Sequence, residues 1–210
     1  MLALEANQTK EIISRLIERT RRMTAHALSL LSKKIEGNDR LQTSLTRWAE
    51  ELAPEIISRV TQSVIEYGNY FLTASSRLGG IDRDALARPE RSDRERKNLA
   101  SVVESLAGRA ARQQEVIERT LARCEEMSEP IGSVIDLKAI AADLGDLVNG
   151  WRALREKALS VAERLEDSAQ GNIDIHELSD FEIQRGRRAC RELIDFASNI
   201  QAASLSGRPE

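Results

Sequence analysis

The stretch DRLQTSLTRWAEELAPEIISRVTQSVIEYGNYFLTASSRL, residues 39–78, decides how the chain folds. Within it Leu41, Leu45, Trp48, Leu52, Ile56, Val60, Val64, Tyr67 and Phe71 follow one another at steps of three or four. That spacing lays one apolar stripe along a helix, and at about 1.5 Å per residue the stretch makes a rod of about 60 Å. A domain of short helices has no place for such a rod; an elongated bundle does. The mean step of the stripe, about 3.75, lies nearer the 3.67 of an eleven-residue repeat than the 3.5 of a heptad. Straight or gently twisted bundle helices are therefore expected, not a long left-handed coiled coil. Pro54 lacks an N–H and its ring clashes with the preceding turn, so a kink is expected near Trp48–Ala53.

The rest of the chain has the same character. Hydrophobic residues make up 41% and charged residues 31%, too apolar and too periodic for a disordered chain. Aromatics are 3% and there are 4 prolines, with helix formers dominating and no alternating run that reads as a strand. The fold class is all-α: an elongated, mostly antiparallel bundle of about five long helices. Their expected ranges are 5–36, 39–78, 93–128, 134–169 and 175–203. In the first, Ile13, Leu16, Ile17, Thr20 and Ala27 mark the inward stripe, with Arg15 and Arg19 off it; in the last, Leu178, Phe181, Leu193, Phe196, Ala197 and Ile200 are expected inward.

Punctuation between the stripes supports these ranges. Gly37-Asn38, Gly79-Gly80 and Gly171-Asn172 read as C-terminal stops. Asp39/Gln42, Ser92/Glu95, Ser133/Asp136 and Asp174/Glu177 each read as a capping box, satisfying backbone donors that a helix start leaves open. Residues 81–92 are polar, carry a proline and read as a linker. The bundle is then either one body over 1–203 or two hairpin halves, 1–80 and 93–203, joined by that linker, with 204–210 a disordered tail.

The net charge of −3 is small and both signs alternate along every segment, which gives no broad field for nucleic acid or an anionic membrane. No run is long and apolar enough for a transmembrane helix, and the start lacks the pattern of a signal peptide. Cys124 and Cys190 sit on apolar faces far apart and read as reduced core thiols, which fits a cytoplasmic protein. Export without a cleaved signal would leave the same sequence.

No metal and no cofactor is expected. His176 with Asp180 is an i, i+4 pair among acids, but acids at a helix start are stabilising without a metal. His26 is placed as a phosphate-accepting histidine would be on a helical phosphotransfer domain, without the Lys and Gly that usually follow one. Asp180 and Gln184 have the Asp-x-x-x-Gln spacing that resembles the chemotaxis response-regulator phosphatases, themselves long-helix bundles. The resemblance implies an acid at the regulator's metal site and an amide that orients the attacking water. It covers two residues; with 11 Asp and 8 Gln in the chain, about 0.4 such pairs arise by chance.

Two features read better as surfaces for a protein partner. Arg185, Arg187, Arg188 and Arg191 place four positive charges within seven residues, diluted by Glu182, Glu192 and Asp195. Tyr67-Gly68-Asn69-Tyr70-Phe71 gathers three aromatics around a glycine, as an interface core or a local kink would. Ala141, Gly145, Asn149 and Gly150 make one side of a helix small, which reads as close helix approach. The leading expectation is a non-enzymatic adaptor or scaffold acting through protein–protein contact, with self-association covering exposed helix sides. The rivals are a signalling phosphatase or phosphotransfer module and a soluble toxin-like protein that rearranges at membranes.

Overall fold

The computed structural model describes residues 1–33, 39–79, 89–167 and 176–206, of which 93% are helical with no strand. The elements are α1 (Ala6–Ser32), α2 (Asp39–Arg47), a π-helical turn (Trp48–Leu52), α3 (Ala53–Leu78), α4 (Pro89–Ile131), α5 (Leu137–Asp167), a 3₁₀ turn (His176–Leu178) and α6 (Asp180–Ser206). The all-α bundle read from the sequence is the fold.

The stripe from Leu45 to Phe71 is buried at every position read from the sequence, and Leu41 is half-buried. The interruption at Pro54 takes the form of the π turn: the Ala53 N–H donates to the Trp48 carbonyl, five residues back. One wider turn absorbs the missing donor and the ring, so α2 and α3 continue one another.

Side-chain contacts fix the topology. Gln113 Nε2 donates to Glu66 Oε2 (3.1 Å), Arg123 pairs with Glu55, and the Arg109 guanidinium lies 4.6 Å over the Tyr70 ring. Residue number falls along α4 as it rises along α3, so the two are antiparallel. The same test makes α6 antiparallel to α3, through Gln201 Nε2 on Thr61 Oγ1 at 3.1 Å and Phe71 against Gly186. It makes α5 antiparallel to α1, through the arginines described below. Lys10–Glu192 (2.9 Å) and Glu5–Arg185 (3.6 Å) run in step, so α1 and α6 are parallel. α3 therefore touches α1, α4 and α6 along its length, and its Tyr67 reaches Trp151 of α5. Buried residues of all the long helices join in one core cluster.

Glycine sets the α3–α6 distance. A Cβ on Gly68 would stand 2.9 Å from Ile194 Cγ1, and one on Gly186 would stand 2.7 Å from Phe71 Cζ. The glycine in the aromatic stretch thus allows close approach and not a kink, since α3 passes through it unbroken. Gly186→Ala is expected to destabilise by about 1–2 kcal/mol, because overpacking against the buried Phe71 ring outweighs the gain in helix propensity. Chemical denaturation measures it, and Phe71→Leu in the same chain should recover most of the loss.

Several boundaries differ from the sequence reading. α4 starts at Pro89 and not at 93, because proline's fixed φ suits the first turn and its missing N–H costs nothing there. Residues 89–92 of the expected linker are thus helical; 81–88 lie outside the described residues. α4 also runs past 128 to Ile131, with Pro130 in its last turn, and stops at Gly132, where a Cβ would meet the Ser128 carbonyl oxygen at 2.3 Å. α5 starts at Leu137 and not at 134: Asp136, not Ser133, supplies the cap, its Oδ1 accepting from the Ala139 N–H at 3.4 Å. α6 starts at Asp180 and not at 175, capped by Ser179, whose Oγ accepts from the Glu182 N–H at 3.2 Å. Its end at Ser206 takes 204–206 out of the expected tail. Asp39 is itself the first residue of α2. Gly37-Asn38, Gly80, Gly171-Asn172 and Asp174 lie outside the described residues.

Cys124 and Cys190 are both buried and free, and burial pushes each thiol up to about 12. Neither should react with a thiol reagent at neutral pH in the native protein, and both should react once it is unfolded. Labelling with and without denaturant, read by mass spectrometry, checks this.

Candidate functional site

The outer face of α6 is built by its phase. Ile183, Gly186, Ala189, Cys190, Leu193 and Ala197 are buried and point one way. At about 100° per residue, Phe181 falls almost opposite Cys190. It is 72% exposed, the most exposed large apolar side chain among the described residues. The sequence reading placed Phe181 inward; the phase of Leu193 and Ala197 contradicts that.

The four arginines divide. Arg185 reaches Glu5 and Glu182, each at 3.6 Å. Arg187 is half-buried, with its Nε enclosed and without a hydrogen-bond partner. Arg188 and Arg191 are exposed and make no ion pair among the described residues. Asp180, Phe181, Gln184, Arg188 and Arg191 share one exposed face within three turns. Glu192, further along, is engaged by Lys10 at 2.9 Å. Asp195, exposed one turn past Arg191, and Asp180 carry the opposite sign, so the two arginines stand beside Phe181 among carboxylates.

The face is held from behind. Leu2, Ala3 and Leu4 are buried, and the Tyr67 Oη donates to the Leu2 carbonyl at 3.0 Å. Burial, with Cys190 nearby, pushes the Tyr67 phenol well above its ordinary range, so it stays a neutral donor. Glu182 is buried and takes the Met1 ammonium at 3.3 Å. Burial and the neighbouring Lys157 lower the affinity of that amine for its proton.

The remaining candidates stand apart from this face. Tyr67 is inside, its ring edge-on to Trp151 at 5.2 Å, and presents nothing to a partner. Tyr70 is half-buried under Arg109. His26 is exposed on α1 and His176 is exposed ahead of α6, where Glu177 pairs with Arg164 at 3.2 Å. Among the described residues no three His, Cys, Asp or Glu side chains gather as metal ligands. No helix among them is long and apolar enough to cross a membrane.

The sequence reading had no signal for a clamp between α1 and α5. Asp143 is 1% exposed; its Oδ1 accepts from Arg15 Nε (2.6 Å) and its Oδ2 from Arg19 Nη1 (2.7 Å). Arg15 reaches on to Asp146 at 3.1 Å and Arg19 to the Ala139 carbonyl at 3.1 Å. Beyond the clamp the helices leave a groove of about 700 Å³ floored by Gly150 and Ala153. The small side of α5 is thus not a close helix contact: a Cβ on Gly145 would meet nothing within 4 Å, and one on Gly150 only Leu4 Cδ2 at 3.8 Å. The groove's rim alternates in sign, with Glu5, Glu11, Arg15, Asp146 and Lys157, and selects no ligand charge.

Compared with family models, curated proteins and solved structures, the chain gives no significant match.

Proposed function

We propose that this protein is a non-enzymatic helical-bundle adaptor that binds a protein partner on the outer face of α6. Phe181 carries the reading. A phenyl ring 72% exposed on a capped helix is left largely uncovered by the described residues, and aromatic and arginine side chains anchor interfaces more than other types do. Arg188 and Arg191 beside it favour a partner that offers an apolar pocket edged by carboxylates. Capture at native expression levels tests this. The wild-type chain should recover a stoichiometric protein, and Phe181→Ser with Arg188→Glu should lose it by about 30-fold or more. Both positions are exposed, so the variant's stability should stay within about 0.5 kcal/mol. Equal recovery by both proteins would refute the reading.

One observation favours a second reading on the same face. Asp180 and Gln184 are both exposed one turn apart, which suits a phosphatase of the response-regulator type. Gln184→Ala should then abolish dephosphorylation of a cognate regulator while leaving its binding intact; unchanged turnover disposes of it.

A further inference from the structure

The other arginine cluster lies on α2, away from α6. Arg40, Ser44 and Arg47 fall on one face of α2 at steps of four and three. Opposite stand Arg123 and Glu126, from the last turns of α4, with Pro130 closing the end. Together these residues line a pocket of about 170 Å³. Clefts for drug-sized ligands begin near 300 Å³, so this one suits a single small group and not a nucleotide.

The donors in the wall are largely uncommitted. Arg40 makes no ion pair among the described residues. Arg47 uses Nε on Glu51 at 3.6 Å, with both side chains more than half exposed, so that contact is weak and easily exchanged. Arg123 uses Nη1 on Glu55 and keeps its other guanidinium N–H groups. Ser44 adds a hydroxyl. Three carboxylates and a helix end oppose an anion: Glu126 in the wall, Glu51 and Glu55 paired with Arg47 and Arg123, and the C-terminal end of α4, which carries about half a negative charge. Against them stand the uncommitted Arg40 and the unused N–H groups of Arg47 and Arg123, and each guanidinium can present paired N–H groups to phosphate oxygens.

We infer that the Arg40–Arg47–Arg123 pocket binds one phosphomonoester group. The group bridges the stretch just before the π turn to the end of α4. Because the second ionisation of a phosphomonoester falls near pH 6, affinity is higher at pH 7.5 than at pH 5.5. The site shares no residue with the α6 face, so it stands or falls separately from the docking proposal.

A ³¹P NMR titration of the full chain at constant ionic strength tests it, with inorganic phosphate, O-phosphoserine and a phosphoserine peptide as separate arms. Saturable one-site binding is expected. It should weaken about tenfold or more in Arg40→Gln/Arg47→Gln and strengthen about threefold in Glu126→Gln. Arg40 and Arg47 are exposed, so the double variant should retain its circular dichroism and melting temperature, which separates lost binding from lost fold. Equal affinity for O-phosphoserine and the peptide identifies a free phosphomonoester as the ligand; a peptide at least tenfold tighter identifies a partner's phosphorylated side chain. No saturable binding by the wild-type chain, or binding by the folded double variant as tight as wild type, would overturn the assignment.

Discussion

Trp151→Ala is expected to lower stability by about 3–5 kcal/mol, which for a chain of this length is a fall of roughly 10 °C or more in Tm. Trp151 is 1% exposed and packs edge-on against Tyr67, which is 2% exposed, with ring centroids 5.2 Å apart. These rings connect α5 to α3, and Tyr67 in turn ties down the segment ahead of α1 through the Leu2 carbonyl. Truncation removes the largest side chain at this junction, and rigid helices on both sides cannot close over the cavity. Tyr67→Phe is the control: it keeps the ring and loses one buried hydrogen bond, at a cost of about 1 kcal/mol. Urea denaturation of the two variants measures both. Equal losses would mean that the ring pair is not what joins the helices.

The second large effect is at Asp143, where the order of the variants carries more information than any one of them. Asp143→Ala is expected to cost about 2 kcal/mol, because two charge-assisted hydrogen bonds go but the stranded Arg15 and Arg19, 38% and 30% exposed, regain water. Removing both arginines strips the charge partners from a carboxylate that is 1% exposed in the intact protein, and the cost of an unpaired charge in a low-dielectric site is larger. The double variant Arg15→Ala/Arg19→Ala should therefore be less stable than Asp143→Ala. Asp143→Leu, which fills the space with carbon, should be the mildest of the three. The hydrogen bond to Asp143, with its charge, raises the pKa of Arg15, so the clamp holds across the neutral and alkaline range. An inverted order, or a neutral Asp143→Ala, would show that α1 and α5 are held together by apolar contact alone.

What could be read in advance was whatever follows from periodicity. The stripe from Leu45 to Phe71 predicted burial residue by residue, because side chains repeating at three or four share one face and that face is the one the bundle covers. Caps were legible in kind and wrong in place. Asp136 was read as the far half of a box and Ser179 not as a cap at all, because the box template matched three to five residues earlier, at Ser133 and Asp174. Phe181 shows the limit of composition: it was assigned inward because it is apolar, although it lies far from the phase of Leu193 and Ala197 on the same helix. Checking that phase would have found it. The Asp143 clamp and the arginine pocket join residues more than a hundred and about eighty positions apart, and no local pattern in a single chain encodes such a meeting.

The central claim is that the outer face of α6 is where another protein binds. Photo-cross-linking measures this most directly, with a photoreactive phenylalanine placed at position 181 and, as the control, at Arg119, which is 72% exposed on α4. Irradiation in cells should give one discrete adduct from position 181, lost when Arg188→Glu is added, and none from position 119. No adduct from 181, or the same adducts from both positions, would contradict the account.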